Sequence, residues 1–163
     1  MAHIKILYQG TTLLVPDWLE PLWPYELPLD KWPSFCGAGE GFGDKIVPEF
    51  IRTTCVSPAC FIHDVDWAVS PDTFKEFLSS NWRFFKNCAS LIYNSSGLTY
   101  IQKFLSATSA IVLWFGAVTT VGALCFDPLG DSFKDPFDNP VVKEKLHKLS
   151  LANIEYERRR EMA

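Results

Sequence analysis

A mainly α-helical fold is predicted for this chain by three observations. Capping side chains stand directly before proline at Ser57-Pro58, Ser70-Pro71 and Asn139-Pro140, the arrangement that opens a helix. Behind the second and third of these, apolar residues recur at helical spacing: Phe74, Phe77, Leu78, Phe84, Phe85, Cys88 and Leu91, then Val142, Leu146 and Leu149. Finally, Phe104–Phe126 is a run of 23 residues without one charged side chain.

The bulk composition sets the frame. At 163 residues the chain suffices for one domain with a real core. With 48% hydrophobic and 21% charged residues it has ordinary globular composition. An aromatic share of 15% points to a large apolar surface. The net charge of −4 argues against nucleic acid as a partner and gives no bulk attraction to anionic membranes. Five cysteines do not make the even, dense set of a small secreted disulfide domain. Residues 1–15 lack a secretory signal, since Gln9, Gly10, Thr11 and Thr12 break the apolar run and no small-residue cleavage site follows. The expectation is a cytoplasmic protein, or one released without a cleaved signal, peripheral at membranes.

Residues 16–33 hold five prolines and three tryptophans. Proline removes donors and fixes the backbone, so residues 1–33 are read as an irregular arm laid over the core. A lipid-contacting aromatic cluster is the alternative. Glycines then alternate at Gly37, Gly39, Gly41 and Gly43, and residues 44–56 read as extended or turn-like. A first helix is expected from Pro58 to Val69 with Ser57 as its cap, and a second opens at Ser70-Pro71-Asp72. Asn94-Ser95-Ser96-Gly97 stops the second.

The Phe104–Phe126 segment could span a bilayer on length alone. Five hydroxyl side chains (Ser106, Thr108, Ser109, Thr119, Thr120) and the absence of strongly basic flanks favour a buried central helix instead. Residues 127–163 complete the chain as an acidic loop and a last helix begun at Asn139-Pro140. The spacing of Asp127, Asp131, Asp135 and Asp138 matches no EF-hand loop, so a solvated turn is preferred to a second cation site. Arg158-Arg159-Arg160 reads as a solvated tail, with partner docking or lipid-headgroup contact as the alternative.

The chemistry concentrates at Cys60-Phe61-Ile62-His63-Asp64, taken with Phe35-Cys36-Gly37-Ala38-Gly39 upstream. Adjacent residues on a helix point about 100° apart, so His63 and Asp64 flank a pocket rather than grip one atom. Calcium takes roughly six to eight oxygens, often including backbone carbonyls. The carbonyls of Phe35, Gly37 and Gly39 could supply three of these, with the carboxylate of Asp64, in a loop whose bends call for glycine. A histidine with an ordinary pKa near ~6.5 accepts a proton from water at neutral pH. The combination suggests a calcium-assisted ester hydrolase. Cys60 lies one turn before Asp64, so a bond from it to Cys36 would clamp the loop to the helix.

These residues resemble the phospholipase A2 superfamily, nearer its sparse-cysteine bacterial and fungal branches. The match lies in Cys60-x-x-His63-Asp64 with Cys36-Gly37-x-Gly39, in the stretch from Gly41 to Trp67, and in Trp114-Phe115-x-Ala117-Val118-x-x-x-Gly122-x-x-x-Phe126. It covers roughly residues 30–126, and a domain over 34–126. The resemblance implies a helical domain with two antiparallel site-bearing helices, a glycine-rich calcium loop and a buried third helix. It implies hydrolysis of the sn-2 ester of glycerophospholipids at a membrane surface. His63 would be the base, the amide of Gly37 would help hold the oxyanion, and Ca2+ would lie on Asp64, Phe35, Gly37 and Gly39. It also implies the Cys36–Cys60 bridge.

Two positions depart from the family pattern. Trp67 stands where a tyrosine is usual, and Asn81 where an aspartate orients the histidine. An amide accepts a hydrogen bond from imidazole but stabilises the protonated ring less than a carboxylate does. A catalytically silent domain of the same fold, with a protein partner on the N-terminal arm or C-terminal helix, is therefore the second reading. A small membrane-inserted protein using Phe104–Phe126 as a span is the third.

Overall fold

The computed structural model describes residues 2–36, 49–70, 73–110, 112, 119 and 135–162. Over these the chain is mainly helical. The helices are α1 (Ser57–Val69), α2 (Phe74–Asn94), α3 (Tyr100–Ser109) and α4 (Pro140–Glu161). Two antiparallel two-stranded ladders accompany them, β1 (His3–Tyr8) with β2 (Thr11–Pro16) and β3 (Phe50–Ile51) with β4 (Thr54–Cys55).

The hairpin corrects the irregular reading of residues 1–33. Strand alternation runs through it: Ile6 and Tyr8 on β1, and Thr11, Leu13 and Val15 on β2, are buried. The two-residue turn Gln9-Gly10 has positive φ at both positions, the backbone twist that suits a tight hairpin. Only from Asp17 is the segment irregular, with short 3₁₀ turns at Asp17–Leu22 and Leu29–Lys31. It covers the core as expected, burying Leu19, Trp23, Leu27 and Trp32. Trp23 and Trp32 pack with Tyr8 and Phe61, and Trp32 also meets Phe35. Tyr8 donates its hydroxyl to the Leu27 carbonyl and accepts from Trp32 Nε1 at 2.7 Å. The hairpin is thereby tied to the arm.

The helix starts differ in detail from the sequence reading. Val56, not Ser57, is the cap of α1; Ser57 is already helical and fully buried, with its hydroxyl toward Glu49. Pro58 keeps its expected place in the first turn. Ser70 closes α1 by donating to the Asp66 carbonyl at 2.6 Å, while Thr73 caps α2 by accepting from the Glu76 amide. A hydroxyl that finishes one helix cannot start the next. The stop at Asn94 and the Asn139 cap hold as expected. Asn139 Oδ1 accepts from the Val141 amide at 2.9 Å, and its Nδ2 donates to the Ala68 carbonyl at 2.7 Å. The start of α4 is thus fastened to the end of α1.

The third helix corrects the expectation of burial on all sides. A capping box of Thr99 and Gln102 opens α3. Ala107, with Ala110 just beyond the helix, packs against Ile92 of α2, and buried Ser106 accepts from Arg52 Nε at 3.1 Å, which leaves Phe104 and Leu105 about half exposed (53% and 51%). Most of the Phe104–Phe126 segment beyond it lies outside the described residues, as do Cys125, Asp127 and Asp131. Among the described residues no helix is long and apolar enough to cross a membrane. Arg158–Arg160 are solvated as expected, as exposed residues in the last turns of α4.

Candidate functional site

The site is built on neighbouring faces of α1. Residues 60 and 64 share one face, and 63 and 67 the next. On α2, Asn81 stands opposite His63 and Phe77 opposite Trp67, so the two helices run in opposite directions. Buried Phe61, Ile62 and Val65 hold α1 in the core, while Phe84, Phe85, Cys88 and Leu91 do the same for α2.

His63 is nearly buried, at 9% exposure, and Asn81 fully so. The ring donates its Nε2–H to Asn81 Oδ1 at 2.9 Å, which leaves the lone pair of the neutral ring on Nδ1. Nδ1 lies 3.9 Å from Asp64 Oδ1. Trp67 and Phe84 hold the imidazole from its faces, with ring centroids 4.4 and 4.8 Å away. A ring fixed this way presents one basic nitrogen in one direction, as a general base must. The Asn81 Nδ2 is buried and meets no acceptor among the described residues.

The Cys36–Cys60 bridge is formed. It pins the segment ending in Phe35-Cys36 to α1, one turn before Asp64. Gly37 and Gly39, expected to add carbonyls and an amide here, lie outside the described residues. Phe35 is buried with its ring against Phe61. Cys55 and Cys88 are free, buried thiols, and burial pushes both pKa values up.

Sequence reasoning missed the part played by α4. Lys145 Nζ lies 2.6 Å from Asp64 Oδ2, and Lys148 donates to the Ser34 carbonyl at 2.6 Å. Both ammonium groups lie over the Phe35 ring, at 5.4 and 5.2 Å from its centroid. Asp64 therefore already holds a cation on its outer oxygen, beside the pinned Phe35 segment. The carboxylate thus has one ammonium and one imidazole beside it, Lys145 Nζ at 2.6 Å from Oδ2 and His63 Nδ1 at 3.9 Å from Oδ1. No cluster of three or more His, Cys, Asp or Glu side chains that could hold a metal ion occurs among the described residues.

A second ionic group was also missed. Asp66 is buried on α1 at 1% exposure. Its Oδ1 accepts from His3 Nε2 at 3.0 Å and its Oδ2 from Arg83 Nε at 2.8 Å, with the Arg83 Nη2 in ion-pair contact at 2.7 Å. Burial pushes this carboxyl up, but the His3 hydrogen bond and the Arg83 charge together hold it below the usual aspartate value. The group joins β1, α1 and α2.

Comparison of the chain with protein-family models, with curated proteins and with solved structures finds no match. The functional reading rests on the residues themselves.

Proposed function

We propose that the chain is a calcium-dependent, phospholipase A2-like hydrolase that cleaves the sn-2 ester of glycerophospholipids at a membrane surface. The observation that carries this reading is the His63–Asn81 hydrogen bond, which leaves Nδ1 of a clamped ring basic beside Asp64. In this reading His63 takes a proton from the attacking water at Nδ1 and returns it to the departing alkoxide. Asn81 holds the ring, while Trp67 and Phe84 limit its rotation and its contact with bulk water. Asp64 and the carbonyls of Phe35, Gly37 and Gly39 would hold Ca2+, with the Gly37 amide directed at the oxyanion. Bound calcium would supply polarisation of the ester carbonyl. The two-helix arrangement with a pinned loop is read as phospholipase A2-like on the same residues.

A second reading, a silent domain of this fold with a binding or assembly role, is favoured by the Lys145–Asp64 pair and by Asn81 in place of a carboxylate. Fatty-acid release from mixed phospholipid vesicles, with calcium and then with chelator, decides between them. Release that needs calcium and is lost in His63→Gln supports the hydrolase. No release by folded protein supports the silent domain.

A further inference from the structure

We propose that Lys145 is a tethered counter-cation that competes with a divalent cation for Asp64, so that α4 sets the cation affinity of the site. This rests on the reading of Asp64 as a calcium ligand. Three observations support it.

The first is position. Lys145 Nζ sits 2.6 Å from Asp64 Oδ2, with both side chains only about a quarter exposed (23% and 25%). At that depth solvent screens the pair only in part, and its attraction exceeds that of a fully exposed ion pair. A calcium ion on the same carboxylate would stand within a few ångströms of this ammonium and be repelled by it, so the ammonium has to give way for full cation affinity.

The second is tethering. Val142 and Leu149 are buried on either side of Lys145 along α4, and Asn139 bonds to the end of α1. Helix docking therefore does not depend on the lysine, yet it delivers the ammonium to Asp64 at high effective concentration. The neighbouring Lys143 instead faces the exposed Asp138. The third is the set of groups around the carboxylate. Asp64 Oδ1 is 3.9 Å from His63 Nδ1, while Oδ2 faces Lys145. The ammonium thus holds one of the two carboxylate oxygens and opposes, by its charge, a cation binding on either.

The test is calorimetric titration of calcium chloride into the full chain as wild type, Lys145→Met, Lys145→Arg and Asp64→Asn, with thermal unfolding of each variant as a check on folding. Removing the competing charge should tighten calcium binding about tenfold. Lys145→Arg keeps the charge and should stay near wild type, and Asp64→Asn should lose binding. Should an apolar tip at position 145 impair folding, Lys145→Gln carries the same expectation as Lys145→Met. Calcium binding that is equal or weaker without the lysine overturns the competition while leaving Asp64 a calcium ligand. No binding by the folded wild type or by either folded neutral variant overturns the calcium reading itself, and the competition with it.

Discussion

The Nε2–H of His63 donates to the fully buried Oδ1 of Asn81 across 2.9 Å, so an amide does the orienting that a carboxylate would do with added charge. Asn81→Asp places a negative charge beside the imidazole and stabilises the protonated ring formed when it takes a proton. The turnover number should rise by about tenfold, given the ~1.4 kcal/mol that separates charged from neutral hydrogen bonds. Folding stability should fall by about 1–3 kcal/mol, because a carboxylate replaces an amide in a fully buried place. Vesicle hydrolysis and urea unfolding of the same variant check both halves.

Replacing the base separates chemistry from cation binding. His63→Gln retains a hydrogen-bonding side chain but no basic nitrogen, so hydrolysis should drop by about 10²–10⁴-fold. Calcium affinity should stay near wild type, since the proposed ligands are Asp64 and backbone carbonyls. Asp64→Asn should lose calcium binding and with it the activity. A His63→Gln protein with full activity would sink the mechanism.

The residues around His63 were legible because they are local. Cys60, His63, Asp64 and Trp67 lie within two turns of one helix, whereas Asn81 opposite His63 is implied by the family resemblance rather than by the helix starts. Lys145 was not legible: its approach to Asp64 comes from docking of α4 across 81 residues of sequence, and nothing local to Lys145 distinguishes it from other helix lysines. The same holds for His3, which reaches Asp66 over 63 residues. The hairpin did leave a signal in the alternation of Ile4, Ile6 and Tyr8 with Thr11, Leu13 and Val15, but a Gln-Gly turn is a weaker mark than Asn-Gly. The exposure of Phe104 and Leu105 left none, since a run apolar on every side does not say which side packs.

The Asp66 group makes stability depend on acid. Its carboxyl lies below the usual value in the folded chain, so its contribution is fully present above the unfolded pKa, about 3.9, and is lost as pH falls through the lower folded value. Asp66→Asn should be about 3 kcal/mol less stable than wild type at neutral pH, because Arg83 loses its partner in a mostly buried place. The difference should shrink steadily below about pH 4. Chemical unfolding of both proteins from pH 7 to pH 3 measures it; a gap that stays constant would mean that Asp66 acts through its shape alone.

The Cys36–Cys60 bridge should matter more to the site than to the core. It closes a separation of 24 residues, and removing such a link releases about 3 kcal/mol of restraint on the unfolded chain. Within the folded chain, Phe35 keeps its packing against Phe61 and Trp32 without the bridge, so the arm should remain docked. Asp64 keeps its place on α1, but the segment that follows Cys36 is no longer tied one turn away from it. Cys36→Ser with Cys60→Ser should therefore lower the unfolding free energy by about 3 kcal/mol and weaken calcium binding. Cys55 and Cys88, buried and with raised thiol pKa values, should resist alkylation in the folded protein. Denaturant unfolding, calcium titration and mass-resolved alkylation of the double variant beside wild type test each part. An unchanged calcium affinity would show that the loop holds its form without the bridge.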